Sequence, residues 1–198
     1  KSFRYFNGIF AIGQGEGVYY KQKLVPFGEY IPFDKLIRGI IPLLDLPMSS
    51  ISPGEEDQSP LKVKDYLFAP FICYEIVYPE FVRHYAKQAD VLLTISNDAW
   101  FGSSHGPHQH FQIARTRALE NGKYLIRGTN TGITAIVDPY GKVIARVPQE
   151  ETTTLRGTVY PTTGRTPYSQ LGTTILIDIC FVLLVLVWAF GRHANRNS

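Results

Sequence analysis

Cysteine is scarce in this chain: 198 residues hold two, Cys73 and Cys180. Two thiols, one of them inside an apolar run near the C-terminus, exclude a disulfide framework. Without other ligands they cannot make a zinc centre either. Net charge is scarce too. The formal balance is +3, and the basic residues are scattered rather than striped, which argues against nucleic acid as a partner. No internal repeat is visible. A starting methionine is missing: the chain opens on Lys1, KSFRYFNGIFAIG reads like the inside of a domain, and no signal peptide precedes it. The expectation is a piece of a longer protein.

What is present is apolar. Hydrophobic residues make up 44%, enough for one domain with a sizeable core. Leu67 to Glu75, LFAPFICYE, reads as a buried strand with Cys73 at its C-terminal end. A thiol, a phenol and a carboxylate then follow consecutively as Cys73, Tyr74 and Glu75. In open α/β sheets ligands sit beyond the carboxyl ends of strands, so Cys73 is a candidate nucleophile; the alternative is a buried structural thiol.

The remaining elements order themselves around that strand. Phe3 to Gly13 and Val18 to Val25 predict a hairpin joined by the turn cluster GQGEG. Pro32 to Pro60 carries five prolines, which exclude a long helix. Phe33 to Ile41 reads as a short helix. The Pro42–Pro60 arm reads either as a lid or as a surface excursion packing its leucines. Tyr78 to Gln88 predicts a helix, Asp90 to Ser96 a second buried strand, and NDAWFG a loop after it. Pro107 to Gly122 predicts a helix with Phe111, Ala114, Ala118 and Leu119 as its apolar stripe. Tyr124 to Gly128 and Leu155 to Tyr160 read as strands, and Thr131 to Val147 as a hairpin turning at Asp138-Pro139-Tyr140-Gly141. The order predicts a layered α/β domain with a mixed sheet.

Leu171 to Phe190, LGTTILIDICFVLLVLVWAF, is long enough as a helix to span about 30 Å, a bilayer core. Trp188 stands near one end, where interfacial aromatics are common. Asp178 opposes the reading, but it lies away from the middle of the run. Arginines on both sides leave orientation open. The organisation expected is a catalytic domain over 1–165, a linker over 166–170, a transmembrane helix over 171–190 and a basic tail over 191–198.

Three polar positions near turns or strand ends carry candidate chemistry: Lys21, Glu29 and Cys73. A neutral thiol is a poor nucleophile; a nearby ammonium favours the thiolate and stabilises the oxyanion of a tetrahedral intermediate. The backbone N–H of Tyr74 is placed to supply a second donor. A carboxylate is needed to shuttle the thiol proton. Trp100 and Phe101 follow a strand end and either line the pocket or simply pack. His105, His108 and His110 lie close to Asp98, but nothing in this chemistry asks for a metal, and no cofactor is expected. Arg115, Arg117 and Glu120 have the spacing of intrahelical pairs.

Taken together, YYKQKLVPFGEYIPF, ICYE and TISNDAWFGSSHGPHQHFQIARTRALENGKYLIRGTNTGITAIVDPYGKV resemble the nitrilase, or carbon-nitrogen hydrolase, superfamily. The LVPFGEYIPF string with its DLPMSSIS arm, the R-x-RALE block and the terminal apolar run resemble its apolipoprotein N-acyltransferase branch, from about Tyr19 to about Phe190. The resemblance implies a nitrilase-like αββα sandwich, here a partial domain, followed by one transmembrane helix. It implies Cys73 as the nucleophile taking an acyl chain as a thioester and Lys21 as the lysine of a Glu-Lys-Cys triad. It further implies Glu29 as the carboxylate holding that lysine, and Tyr74 and Glu75 as supports beside the nucleophile. A phospholipid would be the acyl donor and the α-amino group of a diacylglyceryl-cysteine lipoprotein the acceptor, at the periplasmic side of a bacterial inner membrane. The family usually carries His where this chain has Lys23. Its general-base glutamate lies well upstream of the lysine. Only twenty residues precede Lys21, and the sole glutamate among them, Glu16, sits in the turn cluster and does not match. The polypeptide as it stands is therefore expected to be inactive and its full-length parent active. Two other readings stay open: an amidase acting on small C–N substrates, and a non-enzymatic membrane-anchored scaffold.

Overall fold

The computed structural model describes residues 3–32 and 51–196. The short helix expected over 33–41 and the start of the proline-rich arm lie outside the described residues. Strands β1 (Gly8–Phe10) and β3 (Val18–Tyr20) pair antiparallel, as the hairpin reading requires. Between them Gly15–Glu16 forms β2, which leaves the hairpin and joins the main sheet opposite Val63 and Lys62. Glu16 is therefore a strand residue rather than a turn residue.

The main sheet contains β2, β4 (Leu61–Val63), β5 (Tyr66–Ile72), β6 (Val91–Ser96), β7 (Leu125–Thr129), β8 (Ala135–Val137) and β9 (Val143–Arg146), and they lie in that spatial order. The central strands β5, β6 and β7 run parallel; the flanking pairs are antiparallel. Parallel neighbours need crossovers, and two helices provide them. Helix α1 (Pro79–Ala86) links β5 to β6 and α2 (Gly106–Asn121) links β6 to β7. Both start with proline in the first turn, and α2 stops at Gly122, whose φ of 62° suits a left-handed cap.

The core lies between these helices and one face of the sheet. Ala69, Phe71, Leu92 and Leu125 come from the strands, Val82, Tyr85, Ala114 and Ala118 from the helices. The stripe expected on α2 is trimmed at one position: Leu119 is 52% exposed, because it lies a step beyond the buried Phe111–Ala114–Ala118 line. Arg117 does pair with Glu120 at 3.1 Å, whereas Arg115 turns to Gln112 and the Gly141 carbonyl. The other sheet face carries Ile95, 44% exposed. Among the described residues the sandwich expected from the resemblance is thus represented by one sheet with helices on one side.

Two segments depart from expectation. Residues 155–160 form no strand. A Cβ on Gly157 would strike Ile136, so this segment crosses the face of β8 instead of pairing along an edge. The second departure is at the C-terminus. The helix does not start at Leu171: Gly172, with φ 70°, ends the short α3 (Pro167–Leu171), and α4 runs over Thr174–Arg196. Among the described residues no helix is long and apolar enough to cross a membrane. The apolar side chains described in α4 run from Ile175 to Ala189.

The described end of the proline-rich arm is tied down. Ile51 bridges to Tyr5, and the Gly54 N–H donates to the Lys21 carbonyl. Gln58 both accepts from the Tyr20 N–H at 2.8 Å and donates to the Tyr20 carbonyl at 2.7 Å.

Candidate active site

Strand β5 ends at Ile72, and the chain turns at once into a 3-10 helix over Cys73–Val77. Cys73 makes the turn with φ 52°, a left-handed conformation that L-residues avoid and that functional sites often retain. Cys73 is partly buried, and both it and Cys180 are free thiols.

Two residues on, Glu75 is fully buried and spends its carboxylate on the backbone. Its Oε2 accepts from the Ile72 N–H at 2.7 Å. Its Oε1 accepts from the Gln22 N–H at 2.7 Å, the Lys23 N–H at 3.1 Å and the Tyr19 hydroxyl at 2.9 Å. One side chain therefore ties the strand end at Cys73 to the strap that follows β3. Burial pushes the Glu75 carboxyl above its ordinary range, against those four hydrogen bonds; burial and then Glu75 itself push the Tyr19 phenol up.

That strap carries Lys21, whose side chain is 1% exposed. Its Nζ donates to both Glu29 oxygens, at 2.8 and 2.7 Å. Glu29 is held in turn by Asn7 Nδ2 at 2.9 Å and the Val25 N–H at 2.8 Å. Lys23 points elsewhere: its Nζ stands over the Phe81 ring at 5.6 Å from the centroid.

Cys73 and Glu29 open onto one cavity of about 370 Å³, whose other walls include Val25, Val77, Trp100 and Phe101. The pocket is largely apolar with few polar groups, the usual composition of a small-molecule or acyl-chain site. Lys21 is not part of its wall and stands behind Glu29. Tyr74 lines the cavity too, and its ring packs edge-on against Tyr78 at 5.3 Å.

Sequence reasoning missed the group behind the nucleophile. His110 turns inward from α2, and its Nε2 lies 3.2 Å from the Cys73 carbonyl oxygen. Asp98 and Arg127, both fully buried, pair at 2.8 Å beside it. The signal was available: an arginine in the apolar strand LIRGT is almost never fully buried without a charged partner. Among the described residues no three His, Cys, Asp or Glu side chains gather as metal ligands would, and His105 and His108 are exposed.

An apolipoprotein N-acyltransferase of Pseudomonas paraeruginosa is 54% identical over 196 residues, 98% of this chain and 38% of that protein. One from Pseudomonas putida is 50% identical over 192 residues, 97% of this chain and 38% of that protein. The chain thus spans little more than a third of the length of the curated relatives it matches. Among solved structures, an amidase from Nesterenkonia sp. superposes with a TM-score of 0.51 at 22% identity, over 82% of this chain and 55% of that one, a likeness of fold. The family model for carbon-nitrogen hydrolases matches residues 2–168, and the chain belongs to that family.

Proposed function

We propose that this chain carries the nucleophile, lysine and second carboxylate of an apolipoprotein N-acyltransferase. The observation that carries the reading is 54% identity over nearly the whole chain to proteins of that activity. The apolar cavity at Cys73 supports it, since a fatty acyl chain needs such a wall and a small polar amide does not.

In the proposed reaction the Cys73 sulfur attacks a phospholipid ester carbonyl. The C–S bond forms, and the carbonyl oxygen takes the negative charge. The Tyr74 N–H donates to that oxyanion, and the buried Lys21 ammonium, held by Glu29 behind the cavity wall, adds its positive charge from there. Collapse breaks the ester C–O bond, and the lysophospholipid leaves with a proton. The α-amino group of a diacylglyceryl-cysteine then attacks the thioester; the N–C bond forms, the C–S bond breaks and the thiol regains its proton. Glu16, exposed in β2, is not the base. No residue of this chain is assigned as the base. Glu75 acts through the backbone, holding the strap and the nucleophile turn together.

We place the catalytic face on the periplasmic side of a bacterial inner membrane, with α4 against lipid. Between Ile175 and Trp188 this helix exposes twelve large apolar side chains. Each is worth about 1.5–3 kcal/mol when removed from water, so the helix requires a cover.

The test is intact mass and peptide mapping of the longest natural polypeptide carrying this chain, after incubation with phospholipid. A hydroxylamine-labile acyl adduct on Cys73, lost in Cys73→Ala, is expected. A parent protein that transfers acyl groups without ever labelling Cys73, or that hydrolyses small amides and ignores phospholipid, sinks the proposal.

A further inference from the structure

The conformation at Cys73 has to be held, and His110, which lines the same cavity, reaches its backbone. The Cys73 carbonyl oxygen can only accept a hydrogen bond. At 3.2 Å from it, His110 Nε2 must therefore carry the hydrogen. That leaves Nδ1 as the only position at which the ring's protonation can vary. Nδ1 has two partners of opposite kind: Asp98 Oδ1 at 3.2 Å and Arg127 Nη2 at 3.2 Å. In the neutral ring Nδ1 accepts from Arg127; in the charged ring Nδ1–H donates to Asp98. The imidazole keeps the same orientation in both states.

The partners are fixed in turn. Asp98 Oδ2 accepts from Arg127 Nη2 at 2.8 Å, and Oδ1 accepts from the Ser96 hydroxyl at 2.6 Å. The Asp98 N–H donates to Asn130 Oδ1 at 3.0 Å, and Arg127 Nε donates to the Ile133 carbonyl at 3.2 Å. Burial works against the Asp98 charge, yet hydrogen bonds from His110 and Ser96 and the Arg127 cation hold its carboxyl below the usual range. The Phe101 ring, 5.7 Å from the imidazole, closes the exposed side.

We propose that His110 is a positioning residue for Cys73: its Nε2–H clamps the Cys73 carbonyl and so holds the left-handed turn that aims the thiol at the cavity. Asp98 and Arg127 fix the ring for that task. The inference rests on Cys73 being the nucleophile, but not on the acyl donor or acceptor.

The test uses the longest natural polypeptide carrying this chain, with iodoacetamide labelling read at Cys73 by peptide mapping. Replacing the imidazole by an apolar side chain, His110→Leu, should slow labelling by roughly tenfold to a hundredfold, the usual cost of a misplaced reacting group, measured well below its melting temperature. His110→Gln, whose amide N–H can still reach the carbonyl, should recover most of the rate. A His110→Leu protein that labels like the parent, or a His110→Gln protein as slow as His110→Leu, overturns the clamp. Should His110→Leu not fold, nitrogen-15 spectra of the unaltered protein decide: Nε2 protonated throughout the accessible pH range supports the clamp, and Nε2 without a proton overturns it. Labelling does not require acyl transfer. Loss of the thioester with the labelling pattern intact would remove the proposed reaction and leave the clamp standing.

Discussion

Single side chains decide most of the chemistry here, and three of them give direct tests. Lys21 is buried against Glu29 with both carboxylate oxygens within 2.8 Å. Lys21→Met should cut thioester formation by about 10² to 10³, the usual loss for one group that stabilises the oxyanion, measured in single-turnover acylation of the longest natural polypeptide carrying this chain. Glu75 predicts a pH dependence. Its folded-state carboxyl is raised from 4.5, with burial as the leading cause. The folded protein therefore holds the proton longer than the unfolded chain does. Stability is fully present below 4.5 and falls as pH climbs through the higher folded range. Melting temperature followed upward from pH 4 should show that decline, and Glu75→Gln should flatten it. Gly132 offers a third test. A Cβ there would run into Asp98 Oδ2, the oxygen that pairs with Arg127. Gly132→Ala should destabilise by about 3 kcal/mol in urea unfolding, since it forces a buried ion pair apart. A neutral outcome would mean that the Asp98 loop can yield.

Among the elements, the C-terminal helix makes the clearest prediction. Its apolar side chains from Ile175 to Trp188 stand exposed by 40 to 71%. If lipid covers them, Leu183→Lys, in the middle of the exposed run, should reduce recovery in a carbonate-washed membrane fraction, because a charge set against lipid costs free energy that leucine does not. Unchanged partitioning would assign the cover to protein instead. Helix and strand patterns elsewhere were readable because burial imposed them. Helix α2 falls within one residue of its expected limits, since a proline near the start and a glycine at the end punctuate a sixteen-residue run. Residues 155–160 had β-branched and aromatic content but no edge to pair with, and such content reports burial against a sheet as readily as membership of one. The break at Gly172 lies before the apolar run proper, among Ser169, Gln170, Thr173 and Thr174, residues that suit a turn as readily as a helix.

For the molecule as a whole, the central parallel strands should carry the stability. Strands β5, β6 and β7 have neighbours on both edges, and Ala69, Leu92 and Leu125 are fully buried. Their amides should exchange slowest, with β9 and the segment at 51–60 well ahead of them. Faster exchange in β6 than in β9 would contradict this arrangement. The layered α/β class follows from this parallel centre; the family membership rests on the match over residues 2–168.

The order of residues along the chain already contained the apolar strand that presents Cys73, the crossover helices and the polar positions Lys21 and Glu29, because periodicity, prolines and glycines act locally. It could not contain the tie from Glu75 to the strap at Tyr19–Lys23, which spans more than fifty positions, or the meeting of His110 with Asp98, Arg127 and the Cys73 carbonyl. Those contacts exist because three parallel strands bring their carboxyl ends to one edge, where buried charges must find one another once water is excluded.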